Sequence, residues 1–539
     1  MNVNYKYVPK QLFKRIYLIF TFIFFITTLA FSQSMSKVKG IVTDGKKPIV
    51  GAIVKWQASH KSVTTDKNGI FALKLSDKSV SNLITAWKKG FFNSGIKYKN
   101  NDTKIKIVLE KLPAKDNKLY KFVDPVPNYK DDIKNCGDCH ASIIYKQWDN
   151  NAHSKSATNP IFLDVYNGTD ATGKKGVQPG YKLDYKYSNG NCGNCHAPAK
   201  AINNFNNVDM NKLKGVEKLG VSCDYCHKIK DIKLNSNTSA YTGVMQVELL
   251  RPPKGHQTFF GPFIDVLNPD IYSEKISKSI FCAPCHQGGY WGIKIYDSYD
   301  QWLKSPYAKG DVQCQDCHMP PDGITTNFAP GKEGVERNPK TIYTHKQFGS
   351  RDSSFLASAV EMNVKTKIKN DELNIVVDIE NSGAGHSVPT GSPMRNMLLI
   401  IRAYDPTGNQ LEYLSDNVIP FWGGRGKVTD GNYEGLPGKG FAKILFENWT
   451  PYEYSTVVNK SRRVYPAPQW RTVRIKSDTR IPALETDTSK YSFLLNGTKG
   501  IYTVDCKLIY RRTFKTWAAM KKWNLKDIVL AEKKLKIKY

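Results

Sequence analysis

Ten of the chain's eleven cysteines fall into five Cys-x-x-Cys pairs, and a histidine follows every pair at once. The motifs are CGDCH (Cys136, Cys139, His140), CGNCH (Cys192, Cys195, His196), CDYCH (Cys223, Cys226, His227), CAPCH (Cys282, Cys285, His286) and CQDCH (Cys314, Cys317, His318), numbered here as sites I to V. Paired cysteines alone serve as disulfides or zinc knuckles, and neither needs a histidine directly after the second thiol. With 10 histidines in 539 residues, five such coincidences would arise by chance on the order of a few times in a billion. On one helical turn, residues i, i+3 and i+4 share a face. Two thiols can then add to the two vinyl groups of one haem while the adjacent imidazole reaches the iron, which is the c-type attachment signal. The expectation is five covalent haems, their irons held on one side by His140, His196, His227, His286 and His318.

Each iron keeps a second axial position, and five histidines are left: His60, His153, His256, His345 and His386. Imidazole is the usual ligand where a haem carries electrons without binding substrate. His60 lies in a strand-patterned segment and is read as a surface residue. His153 in YKQWDNNAHSKSA, His256 in GHQTFFGPF and His345 in THKQFGSRD are expected as distal ligands. So is His386, in NSGAGHSVPTGSP, where glycines and prolines fix a tight loop able to present one side chain.

That gives four distal ligands for five sites, and an internal repeat marks the gap. YKQWDNNAHSK follows site I and YDQWLKSPYAK follows site IV. Aligned, Gln147 falls on Gln301, Trp148 on Trp302, and His153 on Tyr307. Tyr307 either packs in the core or lines one open or weakly ligated haem. A phenol with a pKa of about 10 ligates iron only as phenolate. Met245 or a lysine are the other candidates for the gap, and no catalytic residue is assigned beyond Tyr307.

The elements that must position these residues follow from patterning. Residues 1–32 combine a basic start (Lys6, Lys10, Lys14, Arg15) with an apolar run too short to span a membrane. They read as a cleaved export signal, and haem attachment of this kind also takes place outside the cytoplasm. The expected location is periplasmic or extracellular, with no integral membrane anchor after cleavage. Residues 36–112 read as short strands between Gly, Pro, Asn and Asp turns, a small β-sandwich. Residues 113–356 carry five haem sites in too little chain to wrap each macrocycle separately, so short helices at the motifs and long loops are expected. Residues 357–539 return to alternation (LNIVVDIEN, MLLIIRAYD, YTVDCKLIY), a second β-sandwich with a short helix over KTWAAMKKWN. The fold class is therefore multidomain: β-sandwich, irregular multihaem domain, β-sandwich. Cys506, in the last alternating run, reads as a buried structural thiol.

The formal charge is +31, and losing the signal removes four positive residues and no acids, leaving +27. Ten propionates from five haems would bring this to about +17. No arginine-rich block marks a nucleic-acid groove. The remaining basic surface suits acidic redox partner proteins or an anionic small substrate.

The segments YKQW…AHSKSA, GVSCDYCH, YDQWLKSPYAKGDVQCQDCHMPP and AGHSVPTGSPMR resemble the multihaem cytochrome c family that includes the tetrahaem electron carrier of nitrification and, more distantly, hydroxylamine oxidoreductase. The resemblance implies that the corresponding histidines are distal ligands and that haems stack in close pairs. The chain departs from the family's enzymes: it has no C-x-x-C-K site, and five haem sites where hydroxylamine oxidoreductase has eight. The order GIVTDGKKPIVGAIVKW…TTDKNGIFAL resembles the carboxypeptidase-regulatory-like module, which implies a fold and no chemistry. The function expected is electron transfer between respiratory partners outside the cytoplasmic membrane. The alternative is an oxidoreductase acting on a small nitrogen or sulfur compound at one open haem.

Overall fold

The computed structural model describes residues 37–78, 80–99, 104–128, 135–234, 242–267, 269–330, 334–447 and 464–539. The segment read as an export signal lies outside them. No helix among the described residues is long and apolar enough to cross a membrane. The chain is multidomain, with strand-rich N-terminal and C-terminal regions around a central helical region.

Two compact units form. The first holds the described residues up to 112 and the short segment 264–267. One sheet orders Ile70–Lys74, Lys37–Thr43 and Ile105–Val108; the other orders Ser62–Thr64, Ile53–Trp56, Leu83–Trp87 and Ser94–Lys97. Alternation along these strands sends Val38, Val42, Val54, Trp56, Phe71, Ile84 and Ile107 into one shared core. Gly40 is needed there, because a Cβ would sit 2.5 Å from the Phe71 ring and 2.6 Å from the Ile105 carbonyl. Segment 264–267 is tied in by Asp265, which accepts from the Ala58 amide at 2.7 Å and pairs with Lys55. His60 is exposed here.

The second unit runs from 113 to 263 and from 269 to the C-terminus. Its first part has sparse secondary structure, as expected. Short helices sit at each motif: Cys136–His140, Gly193–His196, Cys223–Cys226, Ala283–His286 and Cys314–His318. Helices of one turn are unstable alone, so what packs against them must hold them. In the C-terminal part, one sheet orders Glu361–Lys369, Glu372–Glu380, Thr486–Leu494 and Glu412–Tyr413. The other orders Val473–Asp478, Gly438–Glu447, Asn396–Tyr404, Ile501–Arg511 and Ile528–Lys538. Leu373, Ile375, Val377, Leu399, Ile401, Phe441 and Leu508 share one core. Cys506 lies in it, fully buried opposite Ile401. The expected short helix spans Lys515–Met520.

Residues 113–356 and 357–539 are packed into this one unit by three polar anchors that patterning does not reveal. Asp297 takes Lys443 at 2.7 Å and Arg480 at 3.0 Å. Asp184 takes Arg471 and the Trp470 indole, each at 2.8 Å. Lys521 donates to the carbonyls of Asp164, Thr169 and Val177 at 2.7–3.0 Å.

Candidate haem centres

Four of the five attachment histidines are oriented by a backbone carbonyl. Nδ1–H of His140 donates to the Phe328 carbonyl at 2.6 Å, His196 to Ser156 at 2.9 Å, His227 to Phe260 at 2.7 Å and His318 to Phe348 at 2.6 Å. A carbonyl can only accept, so each ring keeps its proton on Nδ1 and offers the Nε2 lone pair.

Three of the five attachment rings face a second histidine. His286 faces His153 with ring centres 6.2 Å apart, His227 faces His345 at 6.4 Å, and His318 faces His386 at 6.3 Å. Two imidazoles bonded at about 2 Å to opposite sides of one metal leave their ring centres about 6 Å apart. The three pairs, at sites IV, III and V, therefore have the spacing that a haem iron between them would need. His153 lies 133 residues upstream of the His286 ring it faces. Burial, followed by repulsion from neighbouring imidazoles, lowers the pKa of His286 and His345 to about 3 and of His386 to about 4. All three are neutral, as ligation requires.

Other features agree with haem and not with bare metal. All eleven thiols are free. Among the described residues no cluster of His, Cys, Asp or Glu could hold an ion by itself. Arg395 and Arg512 stand just past the Asn396–Arg511 pair at the end of facing strands. Like charges opposite one another destabilise a sheet, and Arg351 adds a third: burial first, then Arg351 and Arg395, lower the pKa of Arg512. None of the three has a carboxylate partner among the described residues. Haem propionates would supply anions to this cluster.

The five sites are contiguous. Thiols of different motifs are near enough to shift one another's titration in three cases: Cys136 raises the pKa of Cys223, Cys285 that of Cys195, and Cys314 that of Cys282. Cys282 is also close enough to Cys226 to feel its charge. Site III thus joins I to IV, and site IV joins II and V.

One expectation is corrected. His256 is exposed in a turn, its amide bonded to the Pro253 carbonyl, and no attachment histidine faces it among the described residues. The aromatic run after it turns inward without it: Phe260 is buried and gives its carbonyl to His227. Tyr307 is held by packing and by one hydrogen bond. It packs beside Gly385 at site V, which already has His386, and its hydroxyl donates to the Ser382 carbonyl at 2.7 Å. Burial raises its pKa further from phenolate. All ten histidines are described, so His140 and His196 have no histidine across from them. At site II the Phe162 ring stacks on His196 at 3.9 Å. Met245 falls in the turn Gly243–Gln246, whose Gly243 packs on Asn194 and Cys195 of site II.

Several site residues escaped the sequence reading. Gln347 meets the Nδ1 of His153, and Asn151 donates to the His345 carbonyl at 2.7 Å, so the segments bearing these two distal histidines are laced together. Asp224, inside the site III motif, pairs with Lys228, both side chains fully buried. It also accepts from Tyr120 at 2.9 Å and from the Val123 amide at 2.7 Å. The i, i+4 spacing of Asp224 and Lys228 was the available signal.

Residues 135–228, which carry sites I to III, match the family model described as cytochrome c554 and c-prime. A solved structure, a penta-heme cytochrome c552 from Thermochromatium tepidum, is similar over 75% of this chain and 97% of that one, at 19% identity and a TM-score of 0.52. That likeness is one of fold. The ASH / PapD-like domain of human CEP192 aligns with 34% of this chain and 86% of that one at 8% identity and a TM-score of 0.14, too low to argue from. No curated protein matches. Both the family-model match and the solved structure are likenesses to cytochromes c, and they agree with the five attachment motifs.

Proposed function

We propose that the chain carries five covalent c-type haems, is exported by its first 32 residues, and relays electrons between respiratory partners outside the cytoplasmic membrane. The contiguity of the five sites carries this reading, with site IV as the hub. Bound haem supplies a one-electron Fe(III)/Fe(II) couple at each site. The chain's own residues attach it through ten cysteines, hold its iron between paired histidines at sites III, IV and V, and offset propionates with Arg351, Arg395 and Arg512. Ligation by imidazole on both faces keeps the coordination constant through the redox cycle. The basic surface favours an acidic partner, and the N-terminal and C-terminal strand-rich regions, read as sandwiches, serve to present the relay to it.

Intact-mass measurement of the exported protein should give the chain without residues 1–32 plus five haems. Four or fewer in fully matured protein would refute the count.

A second reading, reduction or oxidation of a small nitrogen or sulfur compound, draws on one observation: sites I and II have no histidine opposite the attachment histidine. Electron paramagnetic resonance separates the classes. The ring planes meet at 20° at site III and 24° at site V, but at 77° at site IV. Near-parallel imidazoles split the iron orbitals that bond to them, whereas near-perpendicular ones leave them nearly degenerate. Oxidised protein should show two rhombic low-spin haems, one strongly anisotropic low-spin haem, and two haems of other ligation. Five bis-histidine signals would exclude an open site and leave electron transfer alone.

A further inference from the structure

The repeat Tyr145-x-Gln147-Trp148 and Tyr299-x-Gln301-Trp302 has a structural counterpart beyond its packing. Each copy lies on a short helical segment, Lys146–Asp149 or Ser298–Lys304, with its tyrosine against its tryptophan at 5.9 or 5.5 Å. Neighbouring helical residues point about 100° apart, so Gln and Trp reach different segments.

In the first copy the Trp148 indole donates to the Val221 carbonyl at 2.9 Å, and Gln147 Oε1 accepts from the backbone amide of His345 at 2.7 Å. In the second, the Trp302 indole donates to the Val312 carbonyl at 2.8 Å, and Gln301 Oε1 accepts from the amide of Ser387, next to His386, at 3.1 Å. Val221 stands two residues before Cys223, and Val312 two residues before Cys314. In both copies, then, the tryptophan grips the segment entering an attachment motif, and the glutamine grips the backbone at or beside the histidine facing that motif's own histidine. The first copy spans site III and the second spans site V. The duplication extends to the neighbouring motif, since Cys136 lies near Cys223 as Cys282 lies near Cys314. The two clamped pairs also share one geometry, 6.4 Å at 20° and 6.3 Å at 24°, whereas the His153–His286 pair stands at 77°.

We propose that Gln147 and Gln301 are positioning residues for the distal histidines of sites III and V, each Tyr-x-Gln-Trp repeat clamping both axial ligands of one haem into a near-parallel arrangement. The proposal rests on the haem reading above. Neither glutamine touches the ligating ring. Each acts through the backbone amide at or beside the histidine, so removing its carbonyl frees the loop without removing the ligand.

The test uses the mature holoprotein in three variants, Gln147→Leu, Gln301→Leu and Gln147→Glu, each examined by intact mass and by electron paramagnetic resonance of the oxidised form. Each leucine variant should keep the wild-type haem count and lose about half of the rhombic low-spin intensity, since two sites share that class. Glutamate keeps an acceptor oxygen and should retain the full signal. Because the two leucine variants affect different sites, failure of one to mature leaves the other decisive. Wild-type spectra in every variant that matures, at unchanged haem count, would overturn the clamp. A wild-type protein with no rhombic bis-histidine signal would instead overturn the haem-pair reading on which it stands.

Discussion

Replacing His386 with Ala should convert site V, and no other site, from low-spin to high-spin. One haem in the oxidised protein would gain a high-spin ferric signal. In the reduced protein that haem would bind carbon monoxide, because among the described residues no second histidine stands across from His318. Added imidazole should restore the low-spin signal by entering the space the side chain leaves. The loop itself should largely keep its shape, since apart from the contact of His386 Nδ1 with the Ser387 carbonyl at 3.1 Å its bonds are not made by the His386 ring. The Asn381 amide donates to the His386 carbonyl at 2.8 Å and to Ile481 at 2.9 Å. Tyr307 holds Ser382, Gln301 holds the Ser387 amide, and Ser298 meets Thr390 at 2.7 Å. The C-terminal region should therefore stay as resistant to proteolysis as in the wild type. An unchanged spectrum would remove His386 from the ligand set. A changed spectrum with a freely digested C-terminal region would show that ligation, and not these bonds, docks the domain.

Replacing Asp297 with Ala should do the reverse: weaken the docking of the C-terminal region against denaturant while the haem count stays as it is. Asp297 is 12% exposed and sits between Lys443, 2% exposed, and Arg480, 5% exposed. Exposed ion pairs contribute about 0–1 kcal/mol, but removing one partner of a buried pair costs about 3–5 kcal/mol, because the other charge is left stranded. Arg480 would keep Asp478 at 2.6 Å, so Lys443 is the stranded charge, left with the carbonyls of Lys294 and Ile295 at 3.0 and 3.3 Å. The loss should fall near the lower end of that range, read as a lower urea midpoint for protease resistance of the C-terminal region. The pH dependence has a definite sign. Burial alone would raise the Asp297 pKa, yet the bonds and charges of Arg480 and Lys443 outweigh it and the pKa is lowered. Its stabilisation is therefore complete above the ordinary carboxylate value of about 3.9 and is lost as pH falls through the lowered one. Docking in the wild type should weaken in acid, and the variant should lack that part of the acid response. A variant as stable as wild type at neutral pH would show that packing of the two sheets carries the docking.

The attachment chemistry was legible because it is local. Two thiols and an imidazole fit one haem within a single helical turn, so Cys136 to His140 and its four counterparts announce themselves over five residues. The strands were legible for a similar reason: alternation, as in Glu372–Glu380, is a property of each segment by itself. The solvent position of His60 and the burial of Cys506 followed from their segments. The charge excess was legible as a sum, whereas Arg395 and Arg512 are adjacent only because two strands end together.

The pairing of histidines was decided by the tertiary structure. The partners are separated by 133, 118 and 68 residues, and doubling a loop adds only about 0.6 kcal/mol to the cost of closing it. Distance along the chain therefore does not select a partner. A distal ligand is one residue making one contact, with no periodicity to betray it, so His256 and His345 looked alike although one faces water and the other faces His227. The repeat was visible in the sequence, but its meaning was not. Aligned residue by residue it drew attention to His153 against Tyr307, which go to different places. What the two copies share lies in Gln147, Gln301 and the tryptophans beside them, whose hydrogen bonds run to backbone atoms. Any residue presents a backbone amide or carbonyl, so the sequence of the partner segment carries no trace of the bond, and only the folded chain brings the two together.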